Sequence, residues 1–421
     1  MAQSVINRGG IVALNMATGI LTARTLHPVG RGELVAMNLW PLFLANATAL
    51  GTPSSLIFHL RKLAARRGEL IASALVLVAA LGTLAAVVGH WVLPHWLKQY
   101  PPEIVAHAQL FLLVAPLWAV QITGQAALEA LELFSLSNTV QIMIPLVTLS
   151  GLMTMLGLHR MSPVTAAACY AFAIIPTAFT ILAMLWHRRA GRTVRVTVDA
   201  WRTLLGYGVR SAPLDLLGTL SLYIDQVLVI GLLSASSMGS YAVVLSLSRA
   251  LLVFQSAVVM VLFPKATGRP TGEILAMVGQ AARVNILLSG AAALTVALLG
   301  HILLRFFYGE QYLSAVPALR VLVLEVVFQG VVVIVSQAFM AAGRPGTVSL
   351  LQGLGLAVAV PLMLVFIPRF GVAGAALALL CSTLTRLGLL LIAVRLVLKE
   401  PLPRLVPGLA EYKQLRRIAR P

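Results

Sequence analysis

The sequence predicts an all-α polytopic membrane protein of about twelve transmembrane helices, arranged as two six-helix bundles related by a parallel pseudo-twofold repeat. Three observations carry that prediction. The chain of 421 residues is 59% hydrophobic and only 10% charged, against about 25% charged residues in soluble domains, and its mean hydropathy is +0.94. Apolar stretches near the length needed to cross a bilayer, about 20 residues, recur with short loops between them and no soluble insertion. The second half of the chain can be laid on the first by a shift of about 207 positions, span on span.

Taken in order, the candidate spans are residues 10–27, 34–57, 70–94, 104–131, 139–158, 164–187, 208–233, 239–263, 280–304, 315–340, 348–367 and 372–397. The first runs from "MAQSVINRGGIVALNMATGIL" with no short apolar core and small-residue cleavage site, so no cleavable signal peptide is expected. The third ends in "GHWVLPHW", where His90 and His95 beside two tryptophans read as an interfacial belt and not a ligand pair. Cys169 and Cys381 lie inside apolar runs of the sixth and twelfth spans. Each reads as a small buried thiol, and no cysteine or histidine pair has metal-site spacing. The basic stretch 188–207 joins the halves, dividing the chain into an N-terminal lobe 1–189, a linker 190–207, a C-terminal lobe 208–398 and a basic tail 399–421.

The formal net charge of +18 does not indicate a nucleic-acid partner, because the basic residues are scattered between spans and form no single soluble face. Their placement follows the positive-inside rule. With a cytoplasmic N-terminus, the inside set is Arg8, Arg61, Lys62, Arg66, Arg67, Arg188, Arg189, Arg192, Arg195, Arg202, Lys265, Arg269, Arg344, Lys399, Arg404, Lys413, Arg416, Arg417 and Arg420. The outside set is Arg24, Arg31, Lys98, Arg160, Arg305 and Arg369. Nineteen against six places both termini in the cytoplasm of a cell whose inner (plasma) membrane the chain spans, with the basic loops against anionic lipid headgroups.

The repeat places Gly32 on Gly239, and a slip of one position in the fourth and tenth spans superposes Gln121 on Gln329 and Glu129 on Gln337. Two such halves create a cleft, and intramembrane polar residues are expected to face it, since a carboxylate at the bilayer centre costs about 2.5–3.5 kcal/mol. In the seventh span Asp215, Gly218 and Asp225 fall within roughly 80° of one another on a helix. The fourth carries Gln121, Gln125, Glu129 and Glu132 as a stripe, and the tenth carries Glu325, Gln329 and Ser336. The eighth contributes Ser246, Arg249 and Ser256, and the twelfth Ser382 and Arg386. Arg210 opens the seventh span and Arg24 closes the first. Plainer roles exist for many of these. Arg24, Arg210 and Arg283 lie near span ends, where they can snorkel. Glutamine and serine stripes often only bond neighbouring helices, at about 0.6 kcal/mol each. Glu129 and Glu132 lie near a cytoplasmic end. Asp225 pairing with Arg249 or with Arg386 would cancel charge while keeping polarity in the cleft. Arg24, Arg210, Arg249, Arg283, Arg320 and Arg386 outnumber Asp215, Asp225 and Glu325, and a guanidinium fork matches phosphate. A cationic cleft points to an anionic cargo.

The run "ILTARTLHPVGRGELVAMNLWPLFLANATALGTPSSLIFHLRK" resembles the opening of bacterial oligosaccharide (O-antigen-type, Wzx-like) flippases of the multidrug/oligosaccharidyl-lipid/polysaccharide (MOP) exporter superfamily. "LYIDQVLVIGLLSASSMGSYAVVLSLSRAL" is similar to the start of that family's second lobe. "GRPGTVSLLQGLGLAVAVPLMLVFIPRFGVAGAALALLCSTLTRLGLLL" resembles its penultimate pair of helices. The likeness covers nearly the whole chain. It implies a MATE-like inverted V of two six-helix bundles alternating between inward and outward openings. The implied cargo is a polyprenyl-diphosphate-linked glycan moved from the cytoplasmic to the periplasmic leaflet, with polysaccharide polymerase or assembly proteins as partners. Arg24 and Asp225 match family positions. His27 stands where that pattern has glycine.

No G-x-x-x-x-G-K-[ST] phosphate loop is present, so no nucleotide or other cofactor is expected and the energy must come from an ion gradient, the membrane potential or product consumption. Asp215, Asp225 and Glu325 are the candidates for coupling or gating, with H+ or Na+ as the ion; Arg24, Arg210, Arg249, Arg386, Gln121, Gln125 and Gln329 are the candidates for binding cargo. The rival reading is a multidrug or organic-ion antiporter of the same superfamily, whose cationic cargo fits an arginine-rich cleft poorly. A lipid II flippase of that superfamily carries two further helices. A membrane-embedded polymerase or ligase needs a sizeable outer loop, and no outer loop here exceeds about ten residues, so no enzymatic activity is expected.

Overall fold

The computed structural model describes residues 2–187 and 195–406. Arg188 and Arg189 at the end of the N-terminal lobe, Arg192 of the linker, and Lys413, Arg416, Arg417 and Arg420 of the tail lie outside the described residues. Those described form helices α1 (Ala2–Thr48), α2 (Thr52–Lys62), α3 (Arg67–Trp96), α4 (Pro102–Phe111), α5 (Ala115–Ala130), α6 (Phe134–Gly157), α7 (Pro163–Phe172) and α8 (Ile174–His187). They continue with α9 (Val198–Leu232), α10 (Ala235–Arg249), α11 (Leu252–Ala266), α12 (Thr271–Leu303), α13 (Val316–Ala341) and α14 (Pro345–Ala393). No strand occurs among the described residues.

Nine helical stretches among the described residues, or ten if a bent pair counts as one crossing, are long and apolar enough to span a membrane. The stretch Pro345–Leu398, at 54 residues, is far longer than one crossing and is broken at Gly371 (φ 58, ψ −135). Helix α1, at 47 residues, is likewise broken at His27 (φ 57, ψ 177). With these two breaks counted, the twelve spans read from the sequence each find their helix.

The details differ where backbone chemistry intervenes. The expected loop between the first two spans is absent: helix resumes at once after His27, because Pro28 has no N–H to lose at a helical first turn. The second span is itself bent, by 47° between α1 and α2. Gly51 there has φ 69, and a proline opens α2, which together stop one helix and start the next. The fourth, sixth and eighth spans are similarly made of two helices each, α4–α5, α7–α8 and α10–α11.

The chain clusters into two compact units, Met1–Gly239 and Ser240–Pro421. In the first, Leu56, Leu60, Leu70, Ala127, Val140, Ile181 and Leu204 form an apolar core joining α2, α3, α5, α6, α8 and α9. Helix α9, which opens the second repeat in sequence, packs here against α1, α2 and α3. In the second unit, Leu262, Val278, Val335, Phe339, Leu351 and Leu390 join α11 to α14. Large apolar side chains also point outward, among them Trp91 (74% exposed) and Leu298 (70%). Apolar surface on this scale needs a hydrocarbon solvent.

Candidate functional site

Helix α9 is fastened along its length to α1–α3. At its N-terminal end Arg66 donates to Glu69 (2.8 Å) and to Asp199 (2.6 Å). The Thr197 hydroxyl donates to Glu69, and the Trp201 indole donates to the Ser73 carbonyl at 2.9 Å. The hydrogen bonds to Glu69, then to Asp199, push the Arg66 guanidinium above its ordinary pKa. Further along, Ser55 donates to the Leu204 carbonyl at 2.8 Å. A Cβ on Gly51 would sit 2.3 Å from the Gly208 carbonyl oxygen, so the two backbones touch with no room for a side chain. Ser54 donates to Asp215 at 3.1 Å. Near the other end of α9, Trp96 donates to the Val227 carbonyl at 2.9 Å.

Just beyond α9 the contact becomes symmetric. A Cβ on Gly32 would lie 1.8 Å from the Ala235 carbonyl oxygen, and one on Gly239 would lie 1.9 Å from the Pro28 carbonyl oxygen. Gly32 and Gly239 are 207 positions apart, and so are Pro28 and Ala235. Each repeat thus offers the same glycine to the same carbonyl of the other, which is the signature of a two-fold contact.

Of the candidate residues in this first unit, Asp225 is 1% exposed, Asp215 is half-buried on Ser54, and Arg24 and Arg210 are exposed. Gln121 is 2% exposed, and neither end of its amide meets a partner among the described residues. Gln125 donates to Glu129 at 3.2 Å, Ser137 donates to the same oxygen at 3.1 Å, and Gln141 donates to Ser137 at 3.3 Å. Glu129 therefore anchors a polar chain between α5 and α6.

The second unit gathers Glu325, Gln329 and Arg386 into one cluster between α13 and α14. The Thr383 hydroxyl donates to Glu325 at 2.6 Å, and the Arg386 guanidinium donates to the Gln329 amide oxygen. Glu325 and Gln329 are one helical turn apart, so one face of α13 presents both. Gly355 of α14 lies against the Arg386 stem, 3.2 Å from a Cβ built there, and Ser382 donates to its carbonyl at 2.8 Å. Arg386 Nε is buried with no hydrogen-bond partner among the described residues. Arg249, from the α10 end, and Ser246 are of intermediate burial.

Two residues escaped the sequence reading. Arg31, assigned to the outer loop, is 9% exposed. It reaches back across the His27 break to donate to the Thr22 hydroxyl at 2.8 Å, because the helix continues where a loop was expected. Asn285 of α12 is fully buried, with Nδ2 2.5 Å from a Cβ built on Gly330 and no side-chain partner among the described residues. A lone amide in "ARVNILLSG" was the available signal. Cys169 and Cys381 are free thiols of intermediate burial.

No family model matches the chain, and no curated protein matches it. Solved structures do. The lipid II flippase MurJ in an inward closed conformation aligns with a TM-score of 0.82 at 12% identity, covering 99% of this chain and 90% of that one. An inward-facing multidrug resistance MATE family transporter of the MOP superfamily aligns with a TM-score of 0.72 at 15% identity, covering 92% and 94%. A MOP superfamily transporter from Pyrococcus furiosus, described as having a binding pocket of reversed polarity, aligns with a TM-score of 0.65 at 16% identity, covering 94% and 95%. The chain has the MATE-like fold of these proteins.

Proposed function

We propose that this protein is a transporter, not an enzyme, that moves a polyprenyl-diphosphate-linked oligosaccharide from the cytoplasmic to the periplasmic leaflet of the inner membrane, with both termini cytoplasmic. The observation that carries the choice of cargo is the setting of Arg386. Its guanidinium donates to the neutral amide of Gln329 inside a membrane-spanning unit, in a cluster whose carboxylate, Glu325, balances its charge. A guanidinium fork in such a setting matches a diphosphate, which can replace the carboxylate as its anionic partner. The fold likeness to a lipid II flippase supports a lipid-linked cargo.

Alternating access supplies the route. The fastenings towards the two ends of α9 differ in charge: an ion-pair and hydroxyl cluster joins the Gly51–Gly208 contact at one, and uncharged glycine-on-carbonyl packing of Gly32 and Gly239 lies beyond the other. Two chemically different closures at opposite ends of one helix suit a protein that opens one side at a time. Asp225 and Glu325 are the residues we assign to coupling with H+ or Na+, and Arg24, Arg210, Arg249, Gln121 and Gln125 to lining the path.

Depleting the protein in its native cell tests this reading. The expected result is lipid-linked oligosaccharide accumulating on the inner leaflet with loss of the surface glycan and of its delivery to polymerising and assembly proteins. An unchanged lipid-linked pool contradicts it. The second reading, a multidrug or organic-ion antiporter, is favoured by the likeness to MATE transporters, and proton-driven export of cationic dyes from vesicles would establish it instead.

A further inference from the structure

At the end of the first unit where α2 stops, two aromatic rings and a cation are stacked, with a third ring beside them. The Phe58 and Tyr207 rings lie 4.5 Å apart and 18° from parallel. The Lys62 ammonium sits over the Phe58 ring at 4.2 Å. Two groups this close to one ring centre must occupy its opposite faces, so both faces of Phe58 are taken. His59 meets Phe58 at 5.1 Å and Tyr207 at 5.7 Å, nearly perpendicular to each, which places it beside the stack. What remains is the outer face of Tyr207, a residue 36% exposed.

The same face of α9 continues polar. Tyr207, Ser211 and Asp215 recur every fourth residue and so share one side of the helix. Asp215 is half-buried, with Ser54 donating to it, and Arg210 is exposed one turn from Tyr207. A stacked ring with an open face one turn from a guanidinium, and a carboxylate about 12 Å further along the same side of the helix, is chemistry suited to a chain of sugars. Polarised C–H bonds of a sugar lie on the negative face of an aromatic ring, and the hydroxyls around the ring edge need both acceptors and donors.

We infer that Tyr207, backed by Phe58 and Lys62, is a stacking shelf for a sugar ring of the glycan, with Arg210 beside it and Asp215, two turns further along α9, placed for the hydroxyls of a following sugar. This deepens, and rests on, the assignment of a lipid-linked oligosaccharide as cargo. The Lys62 ammonium fixes Phe58 from behind, which keeps the shelf flat before any sugar arrives.

The test measures binding to the full-length chain in nanodiscs of two probes: polyprenyl diphosphate carrying one N-acetylhexosamine, and bare polyprenyl diphosphate. In the wild type the sugar should tighten binding by about threefold to tenfold, the weight of one ring stack. Tyr207→Leu should reduce that ratio to near one while leaving the affinity for the bare lipid in place, and Tyr207→Phe, which keeps the ring, should retain the ratio. A wild-type ratio near one overturns the shelf, as does a ratio that survives in Tyr207→Leu. Equal weakening of both probes also overturns it, since that is the behaviour of a tyrosine that merely anchors α9 at the bilayer surface. Failure of the wild type to bind either probe removes the cargo assignment and the shelf with it.

Discussion

His27 shows how a single residue can be read from sequence and explained only by coordinates. The flippase-like pattern has glycine at this position, and the backbone here, φ 57 and ψ 177, lies in a region that almost only glycine occupies without strain. Replacing His27 with glycine should therefore stabilise the protein, by about 1–2 kcal/mol of relieved strain, seen as a higher unfolding midpoint in detergent. Gly32 and Gly239 make the opposite case. A methyl group on either would meet a carbonyl oxygen at under 2 Å, so Gly32→Ala and Gly239→Ala should each lose about 1–3 kcal/mol by overpacking and expose cysteines placed nearby to labelling. The sequence showed that these glycines correspond; it could not show that each packs on the other repeat's carbonyl, because that contact joins residues some 200 positions apart. Arg31 was misplaced for the complementary reason. An arginine between two glycines looks like a loop residue until the helix is seen to run through it.

At the scale of the element, α9 is where sequence and structure add most to each other. Its aspartates were legible, since a carboxylate in an apolar run is conspicuous; Asp225 is 1% exposed, a burial that the sequence pattern does not reveal. Its fastening to α1–α3 was not, because it depends on backbone carbonyls and on glycines that no periodicity marks. The Arg66–Asp199 pair at its start is part-exposed, with side chains 35% and 71% accessible. Asp199→Asn should therefore cost the fold less than about 1 kcal/mol. Its effect should appear instead as easier opening at that end, read as faster labelling of a cysteine in α2, and high salt should produce the same change in the wild type by screening the pair. The backbone contact at Gly51 and Gly208 is the uncharged counterpart. A Cβ on Gly51 would meet the Gly208 carbonyl oxygen at 2.3 Å, so Gly51→Ala should lose about 1–3 kcal/mol by overpacking and hasten labelling at the same end with no dependence on salt. In α13 and α14 the pairing of Gln329 with Arg386 was half-legible: each was marked as polar, and their adjacency came from packing.

For the whole molecule, composition and span counting were enough for the fold, since hydrocarbon forces backbone groups into helices and leaves few architectures for twelve of them. The cargo was not legible in the same way. One fold accommodates a lipid II flippase, multidrug transporters and a transporter described as having a pocket of reversed polarity, so specificity resides in a few side chains. Among these, Arg386 is the residue to which we assign the diphosphate. Arg386→Lys, which keeps the charge but loses the planar fork, should lower transport less than Arg386→Gln, which removes the charge; equal losses in the two variants would show that only the fork matters.

The most direct measurement is of lipid movement by the purified protein in sealed vesicles, with a fluorescent polyprenyl-diphosphate oligosaccharide in one leaflet and a membrane-impermeant quencher outside. Protein-dependent transfer that is competed by unlabelled diphosphate lipid, and lost in Arg386→Gln, is the predicted result. Transfer no faster than in protein-free vesicles, in a preparation that exports cationic dyes, would contradict it.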